Sequence, residues 1–175
     1  DPTVGESLGL YRMGLGLGWG LPLDQRRDET KSVNYTTNEL ADQIEVTGFP
    51  KCVMFISSTA KIATFVVKLS DVSPKGESSL VSRGSMNATH RNSHEKPEEL
   101  TPNEKYKLEI TLDPISYVFK KGHRIRVSIS SADFPFIWPT PENAVNKIYS
   151  NRDSPSHIIM PMIPKSNKII QPPFN

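Results

Sequence analysis

Gly5-Glu6-Ser7-Leu8-Gly9 reads GxSxG, the pattern of a nucleophile elbow. That elbow needs a strand running into the serine and a helix leaving it, so that a sharp turn exposes the hydroxyl beside a backbone oxyanion hole. Here only Asp1 to Val4 precede the motif, Pro2 among them, and glycines follow at 14, 16, 18 and 20. Neither flank supplies the required geometry. The elbow also needs an Asp or Glu and then a His on later strands of a parallel sheet. A serine stripped of its base loses about a millionfold in turnover, about 8 kcal/mol of barrier. Ser7 is therefore read as a loop residue and not as a nucleophile.

His90 and His94 have the i, i+4 spacing of zinc-binding helices, with Glu95, Glu98 and Glu99 close by. They sit in HRNSHEKPEELTPNE, a loop by composition, without HExxH and without a third ligand at a familiar spacing. No metal or cofactor is expected. His123 follows Gly122 at the entry to a strand, and His157 precedes IIMPMIP; both read as structural hydrogen-bonding residues. Cys52, the single cysteine, lies in KCVMFIS and is expected to be a buried, small hydrophobe. Trp19, Phe134, Phe136 and Trp138 could form a stacking platform, and DFPFIWPTP gathers three of these aromatics among prolines. Core capping or a domain interface is the preferred use of that stretch. The two sequons, at Asn34 and Asn87, carry no weight.

Any such groups must be held by the elements around them. Clean period-two alternation places Tyr106, Leu108, Ile110 and Leu112 on one face, Ile125, Val127 and Ile129 on another, and Phe65, Val67 and Leu69 on a third. This is the signature of antiparallel strands with one buried and one wet face. Strands are expected near 32–35, 44–46, 51–57, 63–72, 79–91, 105–112, 123–131 and 158–163. Turn signals separate them at PKG (74–76), at KKG (120–122) and along the polar stretch 92–103. The basic run Lys120, Lys121, His123, Arg124 and Arg126 reads as the solvated face of a hairpin. With no amphipathic helix of a dozen residues between the strands, an all-β sandwich of jelly-roll type is expected. The prolines crowd toward the C-terminal end, where edge strands and surface loops accommodate them. Leu15, Leu17 and Trp19 alternate with glycines, which suits an arm laid over an apolar surface rather than a helix or a central strand.

The chain has 175 residues and a net charge of +2, enough for one domain with a real core. Its 21 basic residues are scattered among 19 acidic ones, whereas nucleic-acid binding calls for a basic stripe. No apolar run reaches the length of a membrane helix, so neither nucleic acid nor membrane is an expected partner. One cysteine leaves the compartment open, with the cytoplasm favoured. The start at Asp1 suggests a processed product, a trimmed chain or an excised domain.

From Asp24 onward the sequence resembles the C-terminal domain of the X-Pro dipeptidyl-peptidase and cocaine esterase (CocE/NonD) hydrolases. The resemblance rests on DQRRDETKSVNYTTNELADQIEVTG, on KLSDVSPKG, on the KPEEL loop, on VFKKGHRIRVSISSADFP and on NKIYSNRDSPSHIIMPMIP. It implies a galactose-binding-like jelly roll over 24–175, joined through a Gly-rich arm, 1–23, to a preceding α/β-hydrolase domain that carries the catalytic Ser, Asp and His. No catalytic residue of the family falls on a position here. Substrates in the family include esters, β-lactam-type amides and X-Pro peptides, and FIWPTPENA after SSADFP leaves acylase-like and peptidase-like classes open. The resemblance also implies that the jelly roll packs on the catalytic domain and helps wall the substrate crevice. Leu15, Leu17, Trp19, Phe134, Phe136 and Trp138 are the expected interface or cleft residues. A freestanding carbohydrate- or ligand-binding module and an oligomerising domain are the competing readings, and a homo-oligomer is compatible with the first.

Overall fold

A computed structural model describes residues 3–5, 24–140 and 142–164. Among them the elements run α1 (Arg26–Glu29), β1 (Val33–Thr36), β2 (Ile44–Gly48), β3 (Lys51–Ser58), β4 (Thr64–Val72) and β5 (Ser78–Asn87). There follow β6 (Tyr106–Thr111), β7 (Ile115–Phe119), β8 (Arg124–Ser130), β9 (Asn146–Asn151), β10 (Ser154–Pro155) and β11 (His157–Ile159). Every strand pairing is antiparallel. One sheet has the order β1-β8-β4-β5. In the other, β3 pairs with β6 on one side, and on the other side with β11 over its first half and β9 over its second. β2 and β7 form a two-stranded ribbon, which Met162 extends by bridging to Val46. The chain is a β-sandwich, as the alternating sequence pattern implies.

The sheets meet over one core. Phe65, Val67 and Leu69 of β4 face inward with Ile125 and Ile129 of β8, against Met54 and Ile56 of β3 and Leu108 and Ile110 of β6. Each is buried, and each such side chain stabilises the fold by about 1.5–3 kcal/mol. Gly84 of β5 packs directly against the end of β6: a Cβ there would stand 2.6 Å from the Thr111 carbonyl oxygen. Cys52 is buried on β3, as expected. Pro155 falls on β10, an edge strand, where its missing N–H costs no ladder bond.

Several expectations need correction. The run at 79–91 stops at Asn87, whose side-chain oxygen accepts from the Thr89 amide at 3.1 Å and turns the chain into a short 3-10 turn, Ala88–His90. The strand expected at 158–163 begins at His157 and ends at Ile159. β7, β9 and β10 were not anticipated: each is short, and β9 and β10 contain little that alternates. The basic run around Gly122 does not lie on a hairpin, because β7 pairs with β2 while β8 pairs with β1 and β4. Gly122, at φ +78°, instead carries the chain from the ribbon into the four-stranded sheet. Finally, β4 has no wet face. From Phe65 to Val72 every residue is buried, and what covers its second face leads to the candidate site.

Candidate functional site

The outward face of β4 carries Val66, Lys68 and Ser70. Register places Arg83 of β5 and Ser128 of β8 beside Lys68. Asp24 starts the covering layer: its carboxylate accepts from the Arg26 amide at 3.1 Å and from the Arg26 side chain at 2.8 Å. The Arg26 guanidinium holds the Asp24 carboxyl below the usual carboxylate range. The next residue, Gln25, donates its amide to the Ser78 carbonyl at 2.9 Å, which fastens α1 to the end of β5. That single turn of helix then turns Asp28 and Glu29 down onto the sheet, where both are buried.

Beneath it lies an ionic cluster. The Lys68 ammonium donates to Asp28 Oδ2 at 3.1 Å and pairs with Asp133 Oδ1 at 3.0 Å, while Arg83 reaches Asp133 Oδ2 at 2.7 Å. These side chains are 0–4% exposed. Two cations face two anions, so the buried group is neutral as a whole. Neutrality matters because an uncompensated charge at this depth costs several kcal/mol. Alongside, Glu29 accepts from Ser78 and pairs with Arg126.

Two further segments dock on this cluster. Val4 and Gly5 are buried. The Gly5 amide donates to Asp28 Oδ2 at 3.0 Å, and the Phe134 amide donates to the Val4 carbonyl at 2.7 Å. Gly5 has φ +113°, and a Cβ there would stand 2.3 Å from the Phe134 carbonyl oxygen. Only glycine fits. Thus the first glycine of GESLG has a packing role, whereas Ser7 lies outside the described residues.

The second segment is the loop that follows β8. Asp133 exchanges backbone bonds with Ile137: its amide donates to the Ile137 carbonyl at 2.8 Å and its carbonyl accepts from Ile137 at 2.9 Å. The Phe134–Pro135 peptide is cis. The Trp138 indole donates to the Pro135 carbonyl at 3.1 Å, and its ring meets that of Phe134 edge-on, centroids 5.5 Å apart. Arg83 lies 5.7 Å from the centre of the Phe136 ring. Even so, Phe134 is 40% exposed, Phe136 36% and Trp138 69%. Three aromatics are held on the surface, by a loop anchored in buried charge. Leu15, Leu17 and Trp19, the other expected contact residues, lie outside the described residues.

The titratable residues read from sequence are built into the scaffold. His123 Nδ1 is 2.9 Å from Asp71 Oδ1, and the Tyr117 hydroxyl donates to Asp71 Oδ2 at 2.8 Å. This trio ties β4 to β7 and to the start of β8. Burial, reinforced by Asp71, raises the Tyr117 pKa well above the ordinary phenol value. His157 Nδ1 faces the Pro155 carbonyl at 2.7 Å. The His90 and His94 rings stand 5.5 Å apart, yet among the described residues no group of three or more His, Cys, Asp or Glu could hold a metal. Burial pushes the Cys52 thiol up to about 11, far from a nucleophile's range.

Asp28, Lys68, Arg83 and Asp133 were not singled out from sequence, nor was Gly5 for its own sake. One signal was available. Lys68 interrupts TFVVKLSDV, and a lone cation inside an apolar strand can be either solvated or paired; alternation alone favours the first.

A family model described as the X-Pro dipeptidyl-peptidase C-terminal non-catalytic domain matches residues 5–168. The chain belongs to that family. It is 33% identical over 158 residues to the cocaine esterase of a Rhodococcus species, a match covering 81% of this chain and 28% of that protein. Among solved structures, an α-amino acid ester hydrolase superposes with a TM-score of 0.76 at 24% identity, over 80% of this chain and 27% of the other. An aminopeptidase from a marine-sediment Thaumarchaeota archaeon superposes equally well, at 24% identity over 81% and 27%. These two likenesses show the same fold. The chain spans under a third of the length of the curated relatives it matches.

Proposed function

We propose that this chain is the accessory module of an α/β-hydrolase-type serine hydrolase of the CocE/NonD kind, packed on its catalytic domain and shaping the substrate cleft. The observation that carries the reading is the anchored aromatic loop, Phe134, Phe136 and Trp138, in a member of a non-catalytic C-terminal domain family. A loop fixed by four buried charges presents apolar area that favours a partner surface. Residues 1–23 form the arm that arrives from the catalytic domain, and Leu15, Leu17 and Trp19 extend the contact. The sandwich proper occupies 24–175. The reaction class is hydrolysis of an ester or an amide, with the nucleophile upstream of Asp1.

A fluorophosphonate probe on the full polypeptide tests this. It should label one serine upstream of this chain and leave Ser7 untouched; labelling at Ser7 overturns the reading. Binding of glycans by this chain alone, lost on Trp138→Ala, would instead favour a freestanding carbohydrate module.

A further inference from the structure

The buried cluster joins two segments that diverge in sequence by more than a hundred residues. Asp28 Oδ2 accepts from both Lys68 Nζ and the Gly5 amide. Asp133, the other carboxylate on Lys68, is the first residue of the aromatic loop, and its neighbour Phe134 donates to Val4. Lys68 therefore stands between the carboxylate that holds Gly5 and the residue at which the aromatic loop begins. The outer face of β4 could be covered by apolar side chains at no loss of stability, since buried ion pairs rarely improve on well-packed hydrophobic groups. What the charges add is direction. A carboxylate that accepts from an ammonium and an amide at once fixes both donors relative to each other.

We propose that Asp28, oriented by Lys68, is a positioning residue for substrate binding: it clamps Val4 and Gly5 against the aromatic loop, so that this short segment and the loop present one fixed wall to the cleft. This rests on the proposed function. The clamp predicts that loosening it changes how substrate is held and leaves the chemical step at the catalytic serine alone.

The test uses the full polypeptide and p-nitrophenyl esters of short and long acyl chains. Asp28→Leu combined with Lys68→Met removes one anion and one cation and leaves Asp133 paired with Arg83. Expected are a KM raised about tenfold with kcat within about threefold, and faster hydrogen exchange at the Gly5 and Phe134 amides while Val67 and Ile110 keep their protection. Asp28→Asn, which still offers an oxygen to both donors, should keep KM within about threefold of the parent. If the double variant does not fold, Gly5→Ala loosens the same contact from the other side and should give the same KM rise. Unchanged KM and unchanged exchange in the folded variant overturn the proposal. So does an Asp28→Asn variant as impaired as the double one, which would point to net charge. If the parent hydrolyses no ester or amide, the proposed function fails, and exchange at Gly5 and Phe134 alone decides the clamp.

Discussion

Replacing Lys68 with methionine keeps the length of the side chain and removes its charge. Asp28 and Asp133 then each lose a cation, at 3.1 and 3.0 Å, in a site where both are at most 2% exposed. Asp133 retains Arg83 at 2.7 Å, so the lost compensation weighs more on Asp28, to which Gly5 still donates. Breaking a buried pair in this way costs about 3–5 kcal/mol, most of it the penalty of a carboxylate left in a dry site. For a chain of this size the midpoint of thermal unfolding should drop by about 6–20 °C, at 2–4 °C per kcal/mol. Urea denaturation of Lys68→Met measures the loss. The second arm is Asp28→Leu on that background: removing the under-compensated carboxylate should recover part of the stability, so the double variant unfolds at higher urea than Lys68→Met. A loss below about 1 kcal/mol in the single variant would place Lys68 in the class of surface ion pairs. A double variant whose losses simply add would show that Lys68 and Asp28 do not interact. Either result refutes the cluster.

Gly84→Ala puts a methyl 2.6 Å from the Thr111 carbonyl oxygen and 3.1 Å from Leu112 Cα, where the backbone has to yield; a loss of about 1–3 kcal/mol in urea denaturation is expected. Tyr117 gives a pH dependence whose sign follows from its raised folded pKa. Its stability contribution is complete below the ordinary phenol value of 10.0 and is lost as pH rises above it, because the unfolded chain ionises first. Denaturation at pH 9 and pH 11 should therefore differ more in the parent than in Tyr117→Phe, and an equal difference would remove Tyr117 from the account.

The strands with strict alternation were legible because one face of each is wet: KYKLEITL sorts Leu108 and Ile110 inward from Lys107 and Glu109 outward. The same rule failed at β4. Lys68, its central polar alternate, lies under Asp28 of α1 and the Asp133 loop, and nothing in TFVVKLSDV announces partners forty positions earlier and over sixty later. The hairpin expected around KKG failed because pairing is decided by the far partner, here β2 for β7 and β4 for β8. For the candidate site, sequence singled out the aromatics of DFPFIW but not their anchor. Asp133 is ordinary in composition, and only its zero exposure beside Lys68 and Arg83 marks it. In sequence Gly5 reads only as part of an elbow, and its contact with Phe134 is invisible without the fold.

Whether the aromatic loop meets a catalytic domain is decided by hydroxyl-radical footprinting of the full polypeptide beside this chain alone. Phe134, Phe136 and Trp138 should oxidise readily in the isolated chain, in keeping with their exposure, and become several-fold protected when the catalytic domain is present. Equal oxidation of all three in both forms would contradict it.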